Sequence, residues 1–229
     1  MPKLDKKINQ TTTKLDENST SFLFSSSVYF YYKPEYLFSV NKVSENNLKK
    51  ISNVVDDVYP VRMTSNFFDD PSISGFVNFV GNTAWSILDD QGYAMNHYEV
   101  FFNEMWTQEH HKHSLMEQHI HGLGSQIVGF YFLEVPKNSS RLIFHDPRPG
   151  KIQNNLFEKD ISKATLASNA INFNPKPGML VLTNSWLPHS FSRHTSKDPI
   201  KFIHFNLTAS LKPPSNIKEK YNTSKAEVI

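Results

Sequence analysis

The chain has 229 residues, enough to bury one sizeable core, and 38% of them are apolar with 13% aromatic, a composition that excludes an apolar-poor disordered chain. Lys and Arg total 24 against 22 Asp and Glu, so nucleic acid is not indicated as a partner: no global basic field exists to bind it non-specifically. With no cysteine, disulfides, thiolate nucleophiles, Cys-bound zinc and iron–sulfur clusters are excluded, and any metal must rest on His, Asp or Glu. No stretch reaches the roughly 18 apolar residues of a membrane span, and the first twenty residues lack the apolar centre of a signal peptide. A cytoplasmic protein with no membrane partner is therefore expected.

Residues 1–20 and 212–229 are polar, rich in Lys, Asn and Thr, and without sustained periodicity. They are expected as disordered tails around a single domain over 21–211. From Phe22 to Tyr32 the aromatic-rich run, closed by Lys33-Pro34, predicts a β-hairpin or paired strands. Leu48, Ile51, Val54, Val55 and Val58 follow a helical period after Ser44, a candidate N-cap. A second helix is better marked: Asp70 caps it, Pro71 suits its first turn, Ile73, Phe76, Val77, Val80, Ala84, Ile87 and Leu88 form one stripe, and Gly92 stops it. Beyond Gly92 the pattern turns to β, with Tyr98, Val100, Phe102, Glu104 and Trp106 alternating with a second set. Further apolar runs lie at Ile127–Val135, Arg141–Phe144, Met179–Thr183 and Ile200–Leu207, each bounded by Pro, Gly, Asn or Ser. The fold class is mainly β, a sandwich or jelly roll with N-terminal helices packed on one sheet face.

Among ten histidines, His119-Ile120-His121 stands out. Two residues apart on a strand, both imidazoles share a face about 6.6 Å apart, at roughly 3.3 Å per residue, and could converge on one ion if a third ligand closed the set. His189, after the turn Pro177-Gly178 and the run Met179–Thr183, is the candidate third ligand. A surface or structural pair is the competing account of the same motif. His110-His111-Lys112-His113 reads as a solvated loop, and His145, His194 and His204 as structural or substrate-facing.

Taken in order, His119-Ile120-His121, Gly129-Phe130-Tyr131-Phe132-Leu133 with Pro136, Phe144-His145-Asp146-Pro147, Pro177-Gly178-Met179-Leu180, Ser185-Trp186-Leu187-Pro188-His189 and His204-Phe205-Asn206 resemble a known family. It is that of 2-oxoglutarate- and Fe(II)-dependent oxygenases of marine bacteriophages and bacteria, distant relatives of prolyl hydroxylases. The resemblance covers Met105–Leu207. It implies a double-stranded β-helix, Fe(II) on His119, His121 and His189, 2-oxoglutarate and O₂ as co-substrates, succinate and CO₂ as products, and a small-molecule or peptide substrate, in the host cytoplasm if the chain is phage-encoded.

Two departures from the superfamily pattern stand out. His121 occupies the place of a carboxylate in the usual triad of two histidines and one acid, so either three histidines bind the iron or a carboxylate such as Asp146 replaces His121. Relatives grip the far carboxylate of 2-oxoglutarate with an Arg on the last core strand, where this chain has Ile200. Lys201, or Arg141 from another side, is the expected substitute, with Tyr131 as a hydroxyl donor or a core residue. Two other readings remain: a cupin, disfavoured because Gln126 stands where its Glu belongs, and a non-catalytic phage structural or host-interaction module on the same fold.

Overall fold

The structure, a computed structural model, describes residues 24–122, 124–154 and 156–213. The tail expected at 1–20, the start of the first aromatic run at Phe22 and residues 214–229 lie outside the described residues.

Strand β1 (Val28–Tyr32) runs into a short 3-10 turn at Pro34–Tyr36 and helix α1 (Leu37–Leu48). The aromatic run makes one strand, paired with a distant partner. Helix α1 also departs from expectation: Ser44 is buried in its interior instead of capping its start, and Val54 and Val58 are exposed beyond its end. Val40, Val43, Asn47 and Leu48 are its buried stripe. Its end is fixed from outside: after β2 begins (Val61–Met63), Arg62 donates to the Leu48 and Ser52 carbonyls at 3.1 and 3.0 Å. The contact to Leu48 satisfies a terminal carbonyl that continuing the helix would otherwise have used, and the one to Ser52 holds the segment that follows.

Helix α2 (Ser74–Asp90) follows a 3-10 turn at Pro71–Ile73, with the Asp70 side chain accepting from the Ser72 N–H at 2.9 Å. Phe76, Val80, Ala84, Ile87 and Leu88 are its buried face, and Gly92 takes a positive φ of 93° at its end. The predicted stripe and both its stops are present.

The rest is β: β3 (Tyr98–His110), β4 (Met116–His119), β5 (Ile127–Glu134), β6 (Leu142–His145), β7 (Ala170–Phe173), β8 (Met179–Asn184), β9 (His189–Phe191) and β10 (Ile200–Leu211). They form a six-stranded antiparallel sheet, β1-β8-β5-β10-β3-β2, facing a four-stranded one, β4-β9-β6-β7. This is the double-stranded β-helix with N-terminal helices on its larger sheet.

Central strand β5 is buried on both faces, which is why it reads as a continuous apolar run. Tyr131 and Leu133 face α1 and α2, in a core shared with Phe76, Phe205 and Met105. Val128, Phe130 and Phe132 face the smaller sheet, with Phe144, Phe191 and Phe202. The turn before β8 needs a glycine: Gly178 has φ +81°, and a Cβ there would meet the Pro34 backbone at 3.0 Å.

One irregularity aims the site. The β3–β10 register shifts between Asn206 and Leu207, where Asn206 pairs with Glu104 and Leu207 with Phe102. Simple alternation would keep Phe102, Glu104 and Trp106 on one face. The extra residue flips the strand, so that Phe102 and Met105 both enter the helix-side core while Trp106 packs on His204 between the sheets.

Candidate metal centre

Three imidazoles converge between the sheets at one end of the sandwich. His119 ends β4 and pairs with His189, the first residue of β9. His121 lies just past β4, held by its backbone N–H donating to the Ser185 carbonyl at 2.9 Å. Ring centroids are 4.5 Å apart for His119–His189 and 5.1 Å for each ring to His121. One ligand nitrogen from each lies within 4.8 Å of the others, a grouping able to hold a metal ion.

Their hydrogen bonds favour that use. The Nδ1 of His119 lies 2.7 Å from the Glu117 carbonyl, and that of His189 lies 3.0 Å from the Leu187 carbonyl. A carbonyl can only accept, so each Nδ1 carries the proton and each Nε2 presents a lone pair. The Nε2 atoms of His121 and His189 are buried and have no protein partner. Burial pushes the His189 ring down to about 3, aided by the neighbouring histidines and opposed by the Leu187 carbonyl. Burial likewise takes His121 to about 4, with His119 adding to the shift and Glu104 opposing it. Both rings are thus neutral, as a ligand must be. Phe130 and Phe144 wall His189 at 5.3 and 6.2 Å between centroids.

The other predicted site residues are not brought here. Asp146, the alternative carboxylate, is held by Arg148 at 2.7 Å and Lys151 at 3.0 Å, which keep its carboxyl far below the usual range. Lys201 points to the helix side, with its Nζ 2.6 Å from Glu45, 3.3 Å from Glu134 and 3.7 Å from Glu109. Burial alone would depress that ammonium, but the Glu45 and Glu134 carboxylates outweigh it and hold it raised. A β5–β10 register shift does fall between Lys201 and Phe202, yet it leaves Lys201 on the far face because those carboxylates take it up. Arg141 is exposed and donates to Asn172 at 3.1 Å. Tyr131 is in the helix-side core, its hydroxyl donating to the Lys33 carbonyl at 2.7 Å and its pKa raised chiefly by burial. Nor is His110 in a solvated loop: it is the fully buried end of β3, 2.9 Å from Gln108 Oε1.

Three further residues stand beside the triad: His204, read from the sequence as structural or substrate-facing, and Trp106 and Glu104, given no site role there. His204 is 4.8 Å from His121 between ring centroids; burial, then the nearby histidines, drive its pKa well below normal, against a smaller opposing effect of the Gly129 carbonyl. Trp106 packs edge-on to it at 4.5 Å. Glu104, exposed at the mouth, accepts from Asn206 Nδ2 at 2.8 Å. His204 carried a signal, since it shares a strand face with Phe202 and Asn206. Glu104 and Trp106 depend on a bulge that composition does not mark.

Comparison with known proteins agrees with this geometry. Residues 104–206 match the family described as putative 2OG-Fe(II) oxygenase. No protein of curated function is similar in sequence. Among solved structures, a carbocyclase of nogalamycin biosynthesis, described as non-haem and alpha-ketoglutarate-dependent, is 10% identical with a TM-score of 0.59, over 89% of each chain. A prolyl-4-hydroxylase from Pseudomonas putida is 9% identical with a TM-score of 0.52, over 80% of this chain and 93% of its own. HygX from Streptomyces hygroscopicus, solved with nickel, 2-oxoglutarate and hygromycin B, is 11% identical with a TM-score of 0.53, over 80% and 83%. At such identities the likeness is one of fold, the double-stranded β-helix. The family match over residues 104–206, the shared fold and the three-histidine cluster together make the chain similar to the 2OG-Fe(II) oxygenases, whose cofactors are iron and 2-oxoglutarate.

Proposed function

We propose that the chain oxidises, in the simplest case hydroxylates, a C–H bond of its substrate, with iron held by His119, His121 and His189. The observation that carries this reading is the convergence of three imidazoles, two of them with buried, unpartnered Nε2 atoms. Iron bound there supplies the oxidising chemistry, driven by conversion of 2-oxoglutarate to succinate and CO₂. The protein's own residues do the rest. The carbonyls of Glu117 and Leu187 fix two imidazole tautomers, the outer-shell arrangement that orients histidine ligands. Phe130 and Phe144 exclude water from the inner side. Three neutral rings leave the charge of a divalent ion uncompensated, which favours a dianionic co-substrate.

The substrate's approach is set by a groove of about 780 Å³ that reaches His119, with Tyr59, Leu115, Met116 and Arg193 among its walls. Apolar surface there, with Arg193 set against the Asp57 and Glu117 carboxylates, suits a substrate carrying an apolar group beside a polar one. No described helix is long and apolar enough to cross a membrane, and the proposal places the enzyme in the cytoplasm. Anaerobic titration with Fe(II) and then 2-oxoglutarate tests it: the weak visible charge-transfer band of the bidentate complex is the expected result, and iron binding without that band opposes the reading.

A further inference from the structure

Resting on that reading, the far carboxylate of 2-oxoglutarate needs a receiver between the sheets. Among the described residues no Lys or Arg is buried, Lys201 is bound by carboxylates on the opposite face, and Arg141 is exposed. Deeper in, the interior is closed by apolar rings. Phe191 and Phe202 stack at 4.8 Å and 10°, with Phe130 at 5.5 and 6.1 Å from them and Phe132 at 6.5 and 5.6 Å. A carboxylate driven into that stack would lose its hydration and meet a single unpaired polar atom, the Nδ1 of the buried His110 packed against Phe191 and Phe202 at 5.7 and 5.1 Å.

One polar ring, His204, stands between the triad and the stack, 4.8 Å from His121 and 5.1 Å from Phe130, and a second, Trp106, packs against it. His204 is 2% exposed, and neither of its ring nitrogens is in hydrogen-bond geometry with a partner, the Gly129 carbonyl acting on the ring only weakly. Trp106, its cross-strand neighbour on β3, packs against it edge-on, and its Nε1 is likewise buried and unpartnered. Buried N–H groups are nearly always paired, so two unpaired polar rings side by side, next to a cluster that can hold a cation, call for an anionic acceptor. Glu104, exposed at the mouth, repels a carboxylate from the outer position.

We propose that His204 and Trp106 receive the far carboxylate of 2-oxoglutarate, the imidazole and indole N–H groups acting as neutral donors in place of a cation. The co-substrate chain then ends at the aromatic stack instead of passing through it. Removing either donor weakens 2-oxoglutarate binding and spares both the metal and any oxo acid that lacks a second carboxylate.

The test uses the full chain loaded anaerobically with Fe(II), titrated with 2-oxoglutarate and, separately, with 2-oxopentanoate, which has a methyl group where 2-oxoglutarate has its far carboxylate. The forms compared are wild type, His204→Phe and Trp106→Phe, with His204→Gln as a variant that keeps an N–H. Each Phe variant should raise the 2-oxoglutarate Kd about tenfold or more, the usual effect of a lost hydrogen bond to a charged group. The 2-oxopentanoate Kd should move less than about twofold on that same basis, and iron stoichiometry should not change. His204→Gln should recover part of the loss. Equal weakening of both acids, or no weakening of either, overturns the assignment. Should His204→Phe fail to fold, Trp106→Phe, altered at a half-buried ring, decides alone. Wild type that binds iron but no 2-oxoglutarate would instead overturn the co-substrate reading itself, an outcome visible before any variant is made.

Discussion

Replacing Lys201 with Met removes a charge and keeps most of the apolar stem, and the structure fixes what should follow. The ammonium is 13% exposed and contacts Glu45, Glu109 and Glu134. Glu45 and Glu134 are 37% and 45% exposed, so each contact is worth no more than about 1 kcal/mol after screening by solvent. Glu109 is 6% exposed, but keeps Arg62 at 2.6 Å and is not left alone. The sum is about 1–2 kcal/mol of stability, or roughly 2–8 °C in Tm for a domain of this size. Thermal unfolding of the metal-free protein reads that loss, and anaerobic titration of the iron-loaded variant reads 2-oxoglutarate affinity, which should stay within about twofold because no hydrogen bond to the co-substrate is removed. An unchanged Tm together with a large rise in the 2-oxoglutarate Kd would show that Lys201 turns inward to the co-substrate, and would refute the assignment of strand faces.

Gly129→Ala puts a Cβ 2.1 Å from the Phe205 ring and 2.7 Å from Leu182; both are fully buried, so a loss of about 1–3 kcal/mol is expected in thermal unfolding, and an unchanged Tm contradicts the packing described. Acid should weaken the metal-free fold: burial holds His110 and His189 at about 3, while the unfolded chain titrates near 6.5 and binds more protons between those values. Stability therefore falls as pH drops from about 6.5 towards 4, by up to ~1.4 kcal/mol per pH unit for each ring, and His110→Phe should make the profile shallower; a flat wild-type profile opposes this. Asp146→Ala should leave iron stoichiometry unchanged, since Arg148 and Lys151 occupy that carboxylate, whereas an emptied site would make it a ligand.

Periodicity made much of the fold legible. Helix α2 was readable with both its stops because Asp70, Pro71 and Gly92 act locally, through a cap, a fixed φ and a positive φ. Strands β5, β8 and β10 were readable because burial on both faces leaves long apolar runs. Helix α1 was misplaced because its end depends on Arg62, ten or more residues away, and no local spacing encodes that contact. The triad was found from spacing and family resemblance together. The place of Lys201 was not legible because strand parity, which sets it opposite His204, gives a face but not its occupants: the carboxylates that hold it there come from α1, β3 and β5. Glu104 and Trp106 reach the site through the bulge at Asn206, a feature of pairing that neither strand shows alone.

The most direct test is iron stoichiometry measured anaerobically in wild type, His189→Ala, His121→Ala and His121→Asp. One Fe(II) per chain is expected in wild type, little or none in the two Ala variants, and retained iron in His121→Asp, where a carboxylate restores the commoner donor set. Full iron occupancy in both Ala variants would contradict the three-histidine centre.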